Sequence, residues 1–330
     1  MKYRPWGSVN WALSLSSQKQ WHFVGAIGTE ERSLCGWAEM HRLGVVGSEL
    51  FAKIHDVDSE KYRNRTQIAL QTRCAEFTLN GGNSDAIRSF PLMAELFRII
   101  DFAREAEAAS LSVTLDITSF PKRFFFPILK TLVTSQRVRN LLITYTSPDS
   151  YAEDAPLYED IENWSTLPGF GGVSSTPDLW IVSVGFLVES LKRHVGDNPH
   201  KKMKILIPFP APLAALRRTW QSVAELEKGY SNDRFDKCRV DTLDMSAAFD
   251  RIGSLAGNPP QHLALAPFGP KPTSAAMCLY AIKKDSSVHY AQPTIYHPEY
   301  SKGIRNSDPS SAVCAYWIKH EGEFLYEVPA

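Results

Sequence analysis

The sequence predicts an α/β protein made of two tandem Rossmann-like parallel-sheet units with a C-terminal β-hairpin. Two observations predict this class. Strand-like apolar runs alternate with segments of helical periodicity, and three landmarks recur in the same order in the two halves of the chain. The length of 330 residues agrees with two units, because it is about twice that of a typical single domain.

The first half alternates regularly between strand-like and helix-like segments. Thr29, followed by acidic residues, is typical of a helix N-cap, and Pro121 is placed to open a later helix. The elements predicted in order are a strand at 21–28, a helix at 29–44, a strand at 49–57, a helix at 85–109, a strand at 112–117, a helix at 122–134 and a strand at 139–146. Strands separated by helices in this way form parallel sheets.

The second half begins after a stretch rich in Pro, Gly, Ser and acidic residues, which is typical of a domain boundary. We therefore place a first lobe at 1–150, a connector at 151–177 and a second lobe at 178–330. The predicted elements of that lobe are a strand near 178–184 with a helix after Gly185, a strand at 204–209, a helix at 212–228, a strand and helix within 261–284, and a hairpin at 312–328 around Glu321-Gly322.

The repeat supports a duplicated unit. Its landmarks are a strand-ending glycine, a Pro-Lys pair before a helix and a Tyr-x-x-Pro-x-x-Tyr motif. They fall at Gly28 and Gly185, 157 residues apart, at Lys122 and Lys271, 149 apart, and at Tyr145 and Tyr290, 145 apart. A few loop deletions would produce this drift in spacing.

Composition and charge exclude some classes of protein. Hydrophobic residues make up 44% of the chain, which excludes global disorder. Lys and Arg total 36, as do Asp and Glu, for a net charge of zero. This balance argues against a protein that coats long nucleic acid, since such binding neutralises many phosphates. It leaves room for a local basic pocket.

Motifs for metals, cofactors and membranes are absent from the sequence. The five cysteines are widely spaced, without a CxxC pair or a metal-ligand spacing, so we expect a reducing compartment and no metal site. The sequence has no GxGxxG, Walker A or GxSxG motif, so we expect no cofactor and disfavour a dinucleotide dehydrogenase or P-loop NTPase. Since no apolar run reaches the length of a membrane span and no signal-peptide core forms, we expect a cytoplasmic protein.

Small polar residues, glycines and cations follow the predicted strands. Ligands of parallel sheets bind beyond the carboxyl ends of strands. Hydroxyls, a glycine and a lysine at a helix start suit a phosphate, whose oxygens need donors and whose charge needs a cation. The predicted ligand-binding residues are Gly28, Thr29, Arg32, Thr118, Ser119, Lys122, Arg123, Gly269, Lys271, Thr273 and Ser274.

Alternatives stay open at several of these positions. Asp116 ends a buried strand, so its carboxylate either orients backbone amides or touches substrate. Glu31 is the other catalytic candidate, although Glu31 and Arg32 together also suit an ordinary capped first turn, which we favour. Lys271 contacts a ligand or is a solvated residue at a helix start.

Residues 269–274, Gly-Pro-Lys-Pro-Thr-Ser, resemble the Gly-x-Lys-Pro-containing turn of CARF domains, the CRISPR-associated Rossmann folds. Residues 118–122, Thr-Ser-Phe-Pro-Lys, resemble a diverged version of that turn, with Ser-Phe-Pro where the family has a glycine-rich sequence. The resemblance implies a sensor of cyclic oligoadenylates, in which two such folds place their turns on either side of the ligand. Family members commonly carry a fused effector such as a nuclease, and two units consume nearly this whole length, so a separate effector protein is expected.

Three functions are consistent with these observations. The leading one is a nucleotide-binding sensor or regulatory subunit of a prokaryotic antiviral defence system, with a nucleotide or cyclic oligonucleotide ligand. The second is a nucleotide-processing enzyme, such as a phosphodiesterase or ring nuclease, that uses Asp116 or Glu31 as acid or base and Lys122 on the phosphate. The third is a scaffold for protein interaction. The ligand's identity and the oligomeric state are left open.

Overall fold

The computed structural model describes residues 3–55, 61–151, 158–161, 163–172, 177–185, 191, 202–210, 213–230, 234–257 and 262–327. The chain divides into two compact units. The first unit comprises Lys2–Asp160 and Pro293–Leu325, and the second comprises Ile161–Gln292 and Tyr326–Ala330.

Strands and helices alternate along the described chain. The strands are β1 (Trp6–Ser8), β2 (Trp21–Ile27), β3 (Val46–His55), β4 (Ile87–Pro91), β5 (Ser112–Asp116), β6 (Asn140–Thr146), β7 (Ser150–Tyr151), β8 (Tyr158–Ile161), β9 (Ser165–Thr166), β10 (Leu179–Ser183), β11 (Lys202–Phe209), β12 (Phe235–Asp241), β13 (Leu263–Pro267), β14 (Ser287–Tyr290), β15 (Pro293–Tyr296), β16 (Ser301–Lys302), β17 (Val313–His320) and β18 (Glu323–Phe324). The α-helices are α1 (Val9–Ser14), α2 (Cys35–Arg42), α3 (Arg63–Leu79), α4 (Leu96–Ala109), α5 (Lys122–Thr134), α6 (Leu213–Glu227), α7 (Met245–Ala256), α8 (Lys271–Lys284) and α9 (Pro309–Ala312). Short 3₁₀ turns lie at Glu31–Leu34, Ser84–Ala86 and Arg305–Ser307.

The first unit is built on a sheet with the strand order β1-β17-β6-β5-β2-β3-β4. Strands β2 to β6 pair in parallel, and β17 and β1 add antiparallel strands at one side. Counted along the chain, the five parallel strands lie in the order 3-2-1-4-5, which is the order of the Rossmann sheet 3-2-1-4-5-6 without its sixth strand. The order reverses between β2 and β5, so the switch point lies there.

The second unit repeats this order. Its sheet runs β12-β11-β10-β13-β14-β9, and strands β10 to β14 pair in parallel. Counted along the chain, these five strands again lie in the order 3-2-1-4-5, with the switch point between β10 and β13. The predicted fold class is therefore confirmed.

The C-terminal hairpin is confirmed, and it lies in the first unit rather than with 178–330. Strand β17 pairs with β6 on one side and β1 on the other. The chain then turns at Glu321 and Gly322, both with positive φ, into β18. Six of the eight β17 residues are buried, because the strand is covered on both faces.

Part of the predicted connector is an edge of the second sheet. Strand β9 pairs antiparallel with β14, the amide of Leu167 donates to Val288 O at 2.8 Å, and the amide of Val288 donates to Phe170 O at 3.0 Å. Leu167 and Phe170 are buried. The segment therefore packs its apolar side chains into the second unit. Its Gly and Pro content alone predicted a connector and did not indicate this packing.

Several element predictions differ from the structure in the first unit. The strand expected at 49–57 is β3, which starts earlier. The helix expected at 85–109 is a 3₁₀ turn, then β4, then α4, because residues 87–91 pair with β3 and helical spacing begins only at Leu96. Helix α3 was not predicted, since only Leu70 and Phe77 of its residues are buried and its apolar stripe is weak.

Two elements of the second unit were not predicted from the sequence, and one predicted helix lies largely outside the described residues. These elements are strand β12 and helix α7. The start of α7 could have been predicted from Asp244, whose side chain caps the helix by accepting from the Ala247 amide at 2.7 Å. The helix expected directly after Gly185 lies largely outside the described residues. Among the described helices, none combines the length and the apolar character that crossing a membrane requires.

Removing a buried side chain of β17 should destabilise the first unit. The indole of Trp317 is fully buried, meets Trp21 edge-on at 5.6 Å and donates to Ala12 O at 2.9 Å. We expect Trp317→Ala to lower the free energy of unfolding by about 3–5 kcal/mol. A denaturant titration followed by circular dichroism measures this. Leu79→Ala, at a side chain 85% exposed, should stay within about 0.5 kcal/mol of wild type, and equal losses would contradict the assigned role of β17.

Candidate functional site

At the switch point of the first unit, the loops that follow β2 and β5 approach closely, and we call this place the first crevice. Gly28 follows β2 and Ser119 follows β5. A Cβ built on Gly28 would lie 3.0 Å from the Cβ and 3.1 Å from the Oγ of Ser119. The structure thus brings together two segments whose residues are predicted to bind a ligand.

The hydroxyl of Ser119 is a free donor in this crevice. Its Oγ is buried and has no hydrogen-bond partner in the part of the chain that the structure describes. A buried hydroxyl without a partner costs free energy, so native proteins keep one mainly where something else satisfies it. An anion held between the two loops would supply the missing acceptor.

Helix α5 begins beside this crevice with two cations. Its N-cap is Pro121, which offers no side-chain hydrogen bond, and its first turn contains no acidic residue but carries Lys122 and Arg123. The positive end of the helix dipole disfavours cations at this place. Burial lowers the pKa of Lys122 to about 7, and Nε of Arg123 is buried without a described partner. This end of the helix therefore favours an anion.

The second unit has an equivalent crevice, with glycines on both loops. Gly185 follows β10 and Gly269 follows β13. A Cβ on Gly185 would collide with the carbonyl oxygen of Phe268, and a Cβ on Gly269 would collide with Oγ of Ser183. Glycine is needed at 185 because the backbone of Phe268 lies against it, and at 269 because the Ser183 side chain occupies the place of a Cβ.

Helix α8 starts at this second crevice in the same way as α5. Its N-cap is Pro270, without a side-chain cap, its first residue is Lys271, and its first turn has no acidic residue. Thr273 Oγ1 and Ser183 Oγ are buried without a partner among the described residues, whereas Ser274 Oγ donates to Gly269 O at 3.3 Å. Ser183 was not predicted as a site residue because it lies inside strand β10. The only sequence signal for it is a small polar residue just before Val184 and Gly185.

Asp116 orients the turn of the first unit. Its Oδ1 accepts from the Thr118 amide at 2.9 Å, and its Oδ2 accepts from Thr144 Oγ1 at 2.8 Å. Thr118 Oγ1 in turn accepts from the Thr146 amide at 2.9 Å. Both Asp116 and Thr118 are buried. These contacts match the first of the two roles open for Asp116, and a catalytic role stays a prediction.

Arg32 and Glu31 tie the loop after β2 to a neighbouring segment of the same unit. Arg32 is buried, pairs with Glu30 at 3.0 Å, and donates from Nη1 to Thr146 O at 2.6 Å and from Nε to Ser301 Oγ at 3.0 Å. Glu31 accepts from the Gly303 amide at 3.1 Å. Burial opposes the charge of Arg32, but the adjacent Glu30 carboxylate outweighs it and raises the pKa. The predicted ligand and acid–base roles of the two residues stay predictions.

The residues predicted to bind a ligand thus fall into two sets. Gly28 and Ser119 approach each other at the first crevice, and Thr29, which follows Gly28, is partly exposed. Lys122 and Arg123 begin α5 just after Ser119, and Nη2 of Arg123 donates to Ala94 O at 3.3 Å. Gly269, Lys271, Thr273 and Ser274 lie at the second crevice. In the described ranges, no cluster of three or more His, Cys, Asp and Glu side chains suits a metal ion.

Comparison with known proteins indicates similarity of fold. No family model and no curated protein matches the chain. Among solved structures, it is similar to a type III CRISPR defence DNA nuclease activated by cyclic oligoadenylate, with a TM-score of 0.51 and 11% identity over 82% of this chain. The chain spans 65% of the length of that nuclease. At this identity the similarity shows the fold alone.

Two further structures align at low scores. They are the cytoplasmic domain of a prokaryotic cation chloride cotransporter, with a TM-score of 0.23 and 14% identity over 86% of this chain and 98% of that one, and a universal stress protein from Archaeoglobus fulgidus DSM 4304, with a TM-score of 0.25 and 11% identity over 82% and 96%. Such scores are too low to indicate a shared fold.

A side chain at Gly185 should destabilise the second unit. We expect Gly185→Ala to lower the free energy of unfolding by about 1–3 kcal/mol, because the new methyl group meets the fixed backbone of Phe268. Thermal unfolding of purified variants measures the change. Gly171→Ala is the matched control, since a Cβ there meets no atom within 4 Å. A Gly185→Ala protein as stable as this control would rule out the close approach.

Proposed function

We propose that the chain is a nucleotide-binding regulatory protein of a prokaryotic antiviral defence system, with an oligonucleotide ligand and a separate effector protein. The observation that carries the proposal is the recurrence, in each unit, of a Pro-Lys helix start, a small-residue loop and a buried unpartnered hydroxyl at the switch point.

The chemistry of each crevice suits a phosphate group. A phosphate carries negative charge and several acceptor oxygens, so it complements the helix dipole, the lysine and the unpartnered hydroxyls at once. Lys122 and Lys271 also add positive charge where a helix by itself disfavours it. A ligand with several phosphates and no long duplex agrees with the net charge of zero.

The fold similarity supports the choice of ligand class. The solved nuclease of similar fold is activated by cyclic oligoadenylate, and residues 269–274 resemble a turn of the CARF family. We therefore choose cyclic oligoadenylates as the first ligands to test. In this proposal the output lies with a separate effector protein.

Removing both crevice lysines should abolish tight binding. We expect the double variant Lys122→Ala, Lys271→Ala to bind cyclic and linear oligoadenylates at least tenfold more weakly, because a hydrogen bond to a charged group contributes about 1.5–3 kcal/mol. Isothermal titration calorimetry measures the dissociation constants. Lys284→Ala removes an exposed charge from the other end of α8 and should bind like wild type. Unchanged affinity in the double variant would refute the site.

The same samples separate the other two functions. A regulatory protein returns its ligand intact, so mass spectrometry after incubation should recover the oligoadenylate unchanged. Turnover would instead favour the nucleotide-processing enzyme. Absence of nucleotide binding, combined with a protein that co-purifies with the chain, would favour the scaffold.

Binding should weaken as the pH rises above 7. In the free protein Lys122 has a pKa of about 7, whereas a bound phosphate favours the protonated amine and raises that pKa. Binding above pH 7 must therefore take up a proton, and the affinity should fall by up to about tenfold per pH unit. Titrations at several pH values measure this. Lys122→Arg, which stays charged, should lose that pH dependence, and an equally steep fall in this variant would exclude Lys122 as its source.

A further inference from the structure

The guanidinium of Arg239 lies near the exposed ring of Phe209 and the half-buried ring of Trp220 on the second unit, and we call these three side chains the stack. Phe209 ends β11, Arg239 belongs to the neighbouring β12, and Trp220 lies on α6. The Cζ of Arg239 is 5.0 Å from the ring centroid of Phe209 and 5.9 Å from that of Trp220. Arg239 is exposed, and Phe209 is 44% exposed.

A lysine on the same strand face as Arg239 has a carboxylate partner. Lys237 precedes Arg239 by two residues, so both side chains point to the same face of β12. Lys237 pairs with Glu227, which lies two turns after Trp220 on α6. Arg239 meets an aromatic ring where Lys237 meets a carboxylate, and in the part of the chain that the structure describes no carboxylate forms an ion pair with it.

This arrangement prepares Arg239 to bind an anion. Aromatic rings that stack on a guanidinium interact with its faces, while its N–H groups lie in the plane and stay available at its edge. The side chain thus loses less freedom when the planar fork binds a phosphate through two hydrogen bonds. Asp241, two residues after Arg239 on the same strand face, accepts from the amides of Leu243 and Asp244. Because no carboxylate among the described residues forms an ion pair with Arg239, its charge can be neutralised by a phosphate.

The stack lies at the same edge of the sheet as the second crevice. Ser183, the last residue of β10, pairs with Leu206 of β11, so Phe209 lies three residues, or about 10 Å, further in the strand direction. Strands β10 and β11 are neighbours. An oligonucleotide with one phosphate in the crevice can therefore extend toward the stack.

We propose that Phe209 and Arg239 form a second nucleotide contact, in which a base stacks on the exposed face of Phe209 and a phosphate accepts hydrogen bonds from Arg239. This inference rests on the proposed function, because it assigns a further part of the same ligand. It adds a residue pair beyond the crevice turns, on strands that carry no landmark of the repeat.

The contact is tested by titrating oligoadenylates into purified full-length variants at several salt concentrations. We expect Arg239→Ala to weaken binding about tenfold or more and to reduce the slope of log K against log salt by about 0.7, the contribution of one single-strand phosphate. Phe209→Leu should weaken binding about fivefold or more through lost stacking, with the salt slope unchanged. Arg239→Lys keeps the charge but not the fork, so it should lose severalfold in affinity with the slope retained.

Lys237→Ala is the matched control, since it removes a cation of the same strand face that is already paired. Suppose that the wild-type chain binds oligoadenylates and that the Arg239 variants bind them as tightly as Lys237→Ala does. This result would overturn the contact at Arg239 and leave the crevice assignment intact. No binding by the wild-type chain would overturn both. A phosphoserine peptide that competes as well as an oligoadenylate would overturn the assignment to a nucleotide. Arg239→Lys provides the test if Arg239→Ala does not fold.

Discussion

The pairing of the first parallel strand with the fourth determines both the shape of each unit and its chemistry. At β2–β5 and at β10–β13, the connections leave toward opposite sides of the strand order, so the loops that follow these strands face each other. The loops can lie this close only if they are small. Gly28, Gly185 and Gly269 meet that steric requirement, and the helix starts α5 and α8 are then fixed beside the crevices.

The residues at these helix starts do little for stability. A cation at the positive end of a helix, partial burial of the Lys122 amine and buried hydroxyls without partners all cost free energy in the unliganded chain. The buried Asp116 and Arg32 show the opposite pattern, since both are well supplied with hydrogen bonds. A ligand that satisfies several unfavourable groups at one place gains binding free energy from each of them.

Local patterns of the sequence predicted more than pairings that are distant along the chain. The two helix starts at Pro-Lys could be predicted because proline favours the first positions of a helix. The repeat predicted that equivalent loops follow the corresponding strands of both halves. Strand β4 was hidden, since its residues precede a strongly helical segment and only pairing with β3 makes them a strand. The roles of Arg32 and of the stack at Phe209 depend on partners such as Ser301 and Arg239, which no spacing along the chain brings together.

The insertion of β17 beside β6 has a consequence for how the chain is made. The second unit is almost continuous in sequence and takes only the segment that starts at Tyr326 from the end of the chain, so its sheet can form as its residues leave the ribosome. The sheet of the first unit is complete only when residues 313–320 have been made, and these follow most of the second unit along the chain. Until then β6, with its apolar run Leu-Leu-Ile-Thr-Tyr-Thr, is an open edge that can pair with other chains. Newly made chains are therefore most exposed to aggregation during translation of the second unit.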